Sequence, residues 1–65
     1  MTPLFIFVTR FSTQERVRVN IATIATYEDT DCQGKICFAD GAILYTEENA
    51  AAIDALIARE KGEVP

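Results

Sequence analysis

Asp40-Gly41 is the feature that most constrains this chain, because it sits between the strand-like runs 35–39 (KICFA) and 42–46 (AILYT). An Asp-Gly pair between such runs favours a two-residue type I′ hairpin, whose central residues need positive φ. The spacing predicts Phe38 opposite Ile43, Cys37 opposite Leu44 and Ile36 opposite Tyr45. A second hairpin is expected upstream. Residues 4–11 (LFIFVTRF) are aromatic and β-branched, residues 12–15 (STQE) are a polar loop, and 16–20 (RVRVN) alternates with period two. Pairing across that loop sets Phe11 against Arg16, Thr9 against Arg18 and Val8 against Val19.

A fifth strand is expected at 24–28, preceded by a segment, 21–24, that suits a single helical turn. Residues 29–34 form a loop in which Gly34 supplies a permissive backbone. Thr46 is a good helix N-cap, Glu47 and Glu48 suit a first turn, and Gly62 suits a helix stop, so a helix is expected over 47–61. Its Ile53, Leu56 and Ile57 fall on one side and should face the sheet. The expected fold class is α+β: one domain over 1–65, a small antiparallel meander of about five strands, curled or barrel-like, with one C-terminal helix packed on one face.

These strands are apolar on both faces. In the first, Leu4, Ile6 and Val8 oppose Phe5, Phe7 and Phe11. In the Asp-Gly hairpin, Ile36, Phe38, Ile43 and Tyr45 share one face, and Cys37, Ala39, Ala42 and Leu44 the other. One helix covers only one face. The second must close into a barrel interior or meet another molecule. Self-association as a two-fold dimer is expected, with Phe5, Phe7, Cys37 and Leu44 at the interface; a closed monomeric barrel is the alternative. Length points the same way, since a domain of 65 residues buries only about 60% of its unfolded surface.

Chemistry is thinly represented. The chain has no histidine, and no hydrolase, metalloprotease or phosphate-loop motif occurs. It reads as a non-enzyme without cofactors. Cys32 and Cys37 alone fall short of a zinc ligand set and are expected to be free thiols. The apolar run 4–8 is too short for a membrane span or signal segment, so a cytoplasmic location away from membranes is expected.

Net charge is −4, but it is unevenly spread. Residues 1–18 hold Arg10, Arg16 and Arg18 against Glu15, whereas residues 19–65 hold nine acids against three bases. In the N-terminal hairpin, Arg16 and Arg18 share a face with Phe5, Phe7 and Phe11, with Arg10 near its edge. Arg10, Phe11, Arg16 and Arg18 are therefore the candidate binding residues. Arginine with aromatics marks protein-binding hot spots and also stacks bases and holds phosphates. The acidic balance disfavours nucleic acid.

The order V-T-R, V-R-V-N-x-x-x-I-x-x-x-E, I-C-F-x-D-G, Y-T-E-E, carried by Asn20, Ile24, Glu28, Asp40, Gly41 and Glu47, resembles the flagellar FlbD/SwrD family of small bacterial proteins. Similar spacing occurs in half of a LytTR-type DNA-binding domain. The resemblance implies a short hairpin, a bend, a Glu-bearing strand, a second hairpin and a helix. The expected function is protein–protein interaction by a small regulator or inhibitor of bacterial or phage origin. Binding of nucleic acid or a nucleotide through the Arg/Phe face is the alternative.

Overall fold

The computed structural model describes residues 4–62, so both ends of the expected 1–65 domain fall outside it. Its elements run β1 (Phe5–Thr9), β2 (Arg16–Asn20), a 3-10 turn (Ile21–Thr23), β3 (Ile24–Asp29), β4 (Gly34–Phe38), β5 (Ile43–Thr46) and α1 (Ala50–Glu60). The class is α+β, with all strand pairs antiparallel. The strands form two sheets rather than one curled meander: β1-β2, and β3-β4-β5. They do not close into a barrel. They are tied at one corner, where Arg10 bridges Thr46, Phe11 N–H donates to the Tyr45 carbonyl at 2.9 Å and Glu47 N–H to the Thr9 carbonyl at 2.9 Å. The helix lies across β1 and β3 and so spans both sheets.

The core sits between these layers. Ile6 and Val8 of β1, Val19 of β2, Ile36 of β4, Leu44 of β5 and Ile53 of α1 are buried. Leu56 and Ile57 pack against them, as the helical spacing predicts.

Both hairpins depart from the expected register, by different amounts. In β1–β2, Phe7 opposes Arg18 and Thr9 opposes Arg16, two residues from the expected pairing. The connection is longer than the polar run alone: Arg10 and Glu15 close it (Arg10 N–H to Glu15 carbonyl, 2.7 Å), and Gln14 turns it at φ 65°. A shift of two residues preserves faces, because side chains alternate with period two.

In β4–β5 the slip is one residue: Ile36 opposes Leu44, and Cys37 opposes Ile43. The turn has three residues, with Phe38 and Ala42 closing it (Phe38 N–H to Ala42 carbonyl, 2.9 Å) and Gly41 at φ +94°. The Asp40 carboxylate accepts from Ala42 N–H at 2.9 Å. Gly in a left-handed third position suits a three-residue hairpin as well as Asp-Gly suits a two-residue one. One extra residue turns every partner to the other face. Ile36 and Leu44 therefore share the core, while Cys37, Ile43 and Tyr45 face outward.

The helix begins three residues later than Thr46 and its two glutamates suggest. Asn49 is the cap, its side chain accepting from Ala52 N–H at 2.8 Å, and Asp29 accepts from Ala50 N–H at 2.7 Å. Thr46 stays in β5, fully buried, and its hydroxyl donates to the Glu48 carbonyl at 2.7 Å. Glu48 serves β1 instead, accepting from Thr9 N–H at 2.8 Å and from the Thr9 hydroxyl at 3.1 Å. Gly34 opposes Thr46 in this crowded spot and serves there by lacking a Cβ.

Candidate functional site

The outer face of β1–β2 follows from alternation alone. With Ile6, Val8, Val17 and Val19 turned toward the core, Phe5, Phe7, Arg16 and Arg18 are left on the far side. Register then sets their contacts. Each arginine reaches diagonally to the phenylalanine beside its direct opposite. The Arg18 guanidinium lies 4.6 Å from the Phe5 ring centroid, and that of Arg16 lies 5.8 Å from the Phe7 centroid. Cation–π contacts at exposed sites contribute about 0.5–1 kcal/mol each, so the pairs also pre-order the arginines. Phe7 remains 51% exposed. Among the described residues neither Arg16 nor Arg18 has an acidic partner; the ion pair found is Arg10–Glu15, at 3.9 Å.

Arg10 and Phe11 do not join this ladder. Arg10 has the parity of Val8 and lines a cleft of 310 Å³ between β2 and the β4–β5 hairpin, which Arg18 also borders. Val17, Val19, Phe38, Ile43 and Leu44 share that cleft with Asn20 and Thr23, so its lining is mixed. Phe11 is half-buried in the β1–β2 connection and, with Arg10 and Tyr45, lines a smaller hollow of 210 Å³. The four expected binding residues thus divide between an outer ladder and a cleft, with Arg18 common to both.

The expected interface residues divide as well. Phe5 and Phe7 lie on the outer face of β1. Cys37 is half-buried on the outer face of β4, and Leu44, only 7% exposed, lies in the core. The outward apolar residues of β5 are Ile43 and Tyr45, 51% and 43% exposed, a pairing hidden by the one-residue slip of the turn. Cys32 and Cys37 are free thiols.

Two contacts have no counterpart in the sequence reading. Glu48 clamps the end of β1, and the Tyr27 hydroxyl donates to the Asp54 carboxylate on α1. The bond to Asp54, followed by burial and the carboxylate's charge, pushes the Tyr27 hydroxyl above its ordinary pKa. Tyr27 opposes buried Ile36, so its inward parity was the available signal. Among the described residues no cluster of three or more His, Cys, Asp or Glu is placed to hold a metal, and no helix is long and apolar enough to cross a membrane.

Comparison with protein-family models, with curated proteins and with solved structures gives no match to this chain. The resemblance to the FlbD/SwrD family therefore rests on its own residues. Asn20 caps the 3-10 turn, Ile24 opens β3, Asp40 and Gly41 form the β4–β5 turn, and Glu47 accepts from the Gln14 side chain at 2.7 Å.

Proposed function

We propose that this chain is a non-enzymatic protein-binding module, a regulator or inhibitor that engages its partner through the outer face of the β1–β2 hairpin. The observation that supports this reading is the ladder itself. Two phenylalanines and two arginines lie side by side, the arginines ordered by stacking and without acidic partners among the described residues. Aromatic and arginine side chains dominate protein-interface hot spots. The proposed partner surface is acidic, because the face presents two uncompensated guanidinium groups. The test compares immobilised wild-type chain with a Phe7→Ser/Arg18→Ser variant over lysate of the source organism. Both side chains are exposed, so the variant should stay folded, its stability lowered only by the two lost cation–π contacts, about 1–2 kcal/mol together, while capture falls about tenfold or more. Equal capture by both proteins would refute the proposal.

Self-association is proposed on the other exposed apolar face, that of Ile43 and Tyr45 beside Cys37. Lys35 opposes Tyr45 on this face and Arg10 lines the hollow beside it, so the exposed apolar area of Ile43 and Tyr45, not a lack of charge, supports this reading; two β1–β2 ladders placed face to face would gather four arginines. Sedimentation at tens of micromolar should show a dimer that Ile43→Glu dissociates; a monomeric wild-type chain would overturn this part. Binding of single-stranded nucleic acid through the same ladder predicts strong salt dependence. The nine acids of residues 19–65 weigh against it.

A further inference from the structure

We infer that the free edge of β2 receives an extended acidic segment of the protein partner, which adds to the β1–β2 sheet as a third strand. The inference rests on the protein-binding reading of this hairpin and names the partner's chemistry.

The backbone carries the first part. In an antiparallel ladder, every second residue exchanges hydrogen bonds with the partner strand and the residues between point their peptide groups away. Arg10 pairs with Glu15 through Arg10 N–H, and Ile21 N–H donates to the Leu4 carbonyl at 3.0 Å. Val17 and Val19 therefore bond to β1, and Arg16 and Arg18 turn their N–H and carbonyl groups outward. No backbone bond from another element reaches those groups among the described residues. The edge ends at Asn20, whose carbonyl accepts the Thr23 hydroxyl at 2.7 Å. An edge of free peptide groups is a template for strand addition.

The surroundings carry the second part. The cleft beside this edge has a mixed lining, Val17, Phe38 and Ile43 together with Arg10, Asn20 and Thr23, and leaves space for the inward side chains of an added strand, whose apolar groups would rest on Val17, Phe38 and Ile43. Its outward side chains would lie beside Arg16 and Arg18. The fitting segment thus alternates apolar residues, turned into the cleft, with acidic residues, turned to the arginines. A second copy of β2 does not meet this requirement. Antiparallel self-pairing about Val17 sets Arg16 opposite Arg18 twice on one face, and like charges directly opposite destabilise a sheet.

The test uses the full chain and three short, end-blocked peptides: one alternating Glu and Val, one alternating Lys and Val, and the Glu–Val peptide N-methylated on the amides of one edge. Amide hydrogen exchange is read by NMR. In the free protein the Arg16 and Arg18 amides should exchange fast, and those of Val17 and Val19 slowly. The Glu–Val peptide should slow Arg16 and Arg18 about tenfold or more, the Lys–Val and N-methylated peptides should bind about tenfold more weakly, and Arg16→Ser/Arg18→Ser should abolish the charge preference.

Glu–Val binding that survives N-methylation and leaves Arg16 and Arg18 exchange unchanged overturns strand addition, while leaving the outer-face reading intact. No binding by any peptide at millimolar concentration overturns it as well, and lysate capture then decides the outer-face reading separately. Association of the protein alone that protects Arg16 and Arg18 and is lost on Glu28→Lys overturns the acidic-partner assignment. The occupant would then be β3 of a second copy.

Discussion

Gly34→Ala is expected to be the most damaging glycine substitution in this domain. A Cβ at residue 34 would lie 2.0 Å from the Glu48 carbonyl oxygen and 2.6 Å from the Thr46 hydroxyl. The nearer atom is backbone, so no rotamer change relieves the overlap. The connection between β5 and α1 must move, which breaks the 2.7 Å bond from the Thr46 hydroxyl to that carbonyl at a fully buried residue. Leaving a buried polar group unpaired costs about 1–3 kcal/mol, and overpacking strain adds about 1–3 kcal/mol. The combined loss, about 2–6 kcal/mol, compares with a total stability of about 3–10 kcal/mol for 65 residues. Gly41→Ala is the control. Its added methyl meets nothing within 4 Å but must hold φ near +94°, a left-handed conformation costing about 1–2 kcal/mol. Urea denaturation followed by circular dichroism measures both variants, and Thr46→Val, expected to cost about 1–3 kcal/mol, isolates the hydrogen-bond share. If Gly34→Ala shifts the midpoint no more than Gly41→Ala, the close approach of β4 to the Glu48 carbonyl is not what this position requires.

Ile53→Ala should destabilise by about 2–5 kcal/mol in the same assay, since Ile53 is the fully buried helix residue that faces both sheets. Tyr27→Phe should change the alkaline limb of the stability curve. The hydroxyl's pKa is raised in the folded state, so the native chain holds a proton that the unfolded chain loses first. The stabilisation is complete below the ordinary tyrosine value of about 10 and vanishes as pH rises through the higher folded value. Denaturant midpoints of the wild type should therefore fall above that pH while those of Tyr27→Phe stay flatter; parallel curves would refute the linkage. Glu48→Gln should loosen the end of β1, read as faster amide exchange at Thr9, because Glu48 accepts from both the backbone and the hydroxyl of that residue.

The two hairpins show what kind of information the sequence carries. Alternation along 4–11 and 16–20 assigned Phe5, Phe7, Arg16 and Arg18 to one face, and a pairing error of two residues left that assignment intact, because the error equals the side-chain period. The Asp-Gly turn was the stronger local signal and gave the weaker result. Its chemistry fits two loop lengths that differ by one residue, and that residue exchanges Leu44 with Ile43 between core and surface. Helix placement failed for a related reason. Thr46 and Asn49 are comparable caps by residue type, and the choice was made by a tertiary contact, the packing of Thr46 against Gly34. The Arg10–Thr46 bridge and the clamp of Thr9 by Glu48 join residues more than thirty positions apart and leave no periodic trace.

The same logic locates the exposed part of this molecule. The helix covers the inner faces of both sheets because it crosses β1 and β3, and the corner at Arg10 and Thr46 joins β1 to β5. β1 is thereby occupied along one edge by β2 and at its far end by β5. β2 has β1 on one side and a cleft on the other. A sheet of two strands is marginal on its own, so an added strand at β2 would both bind a partner and stabilise the sheet that binds it. Strand addition should therefore raise the amide protection of β1 as well as that of β2, whereas contact confined to the outer Phe/Arg ladder should leave β1 exchange rates unchanged.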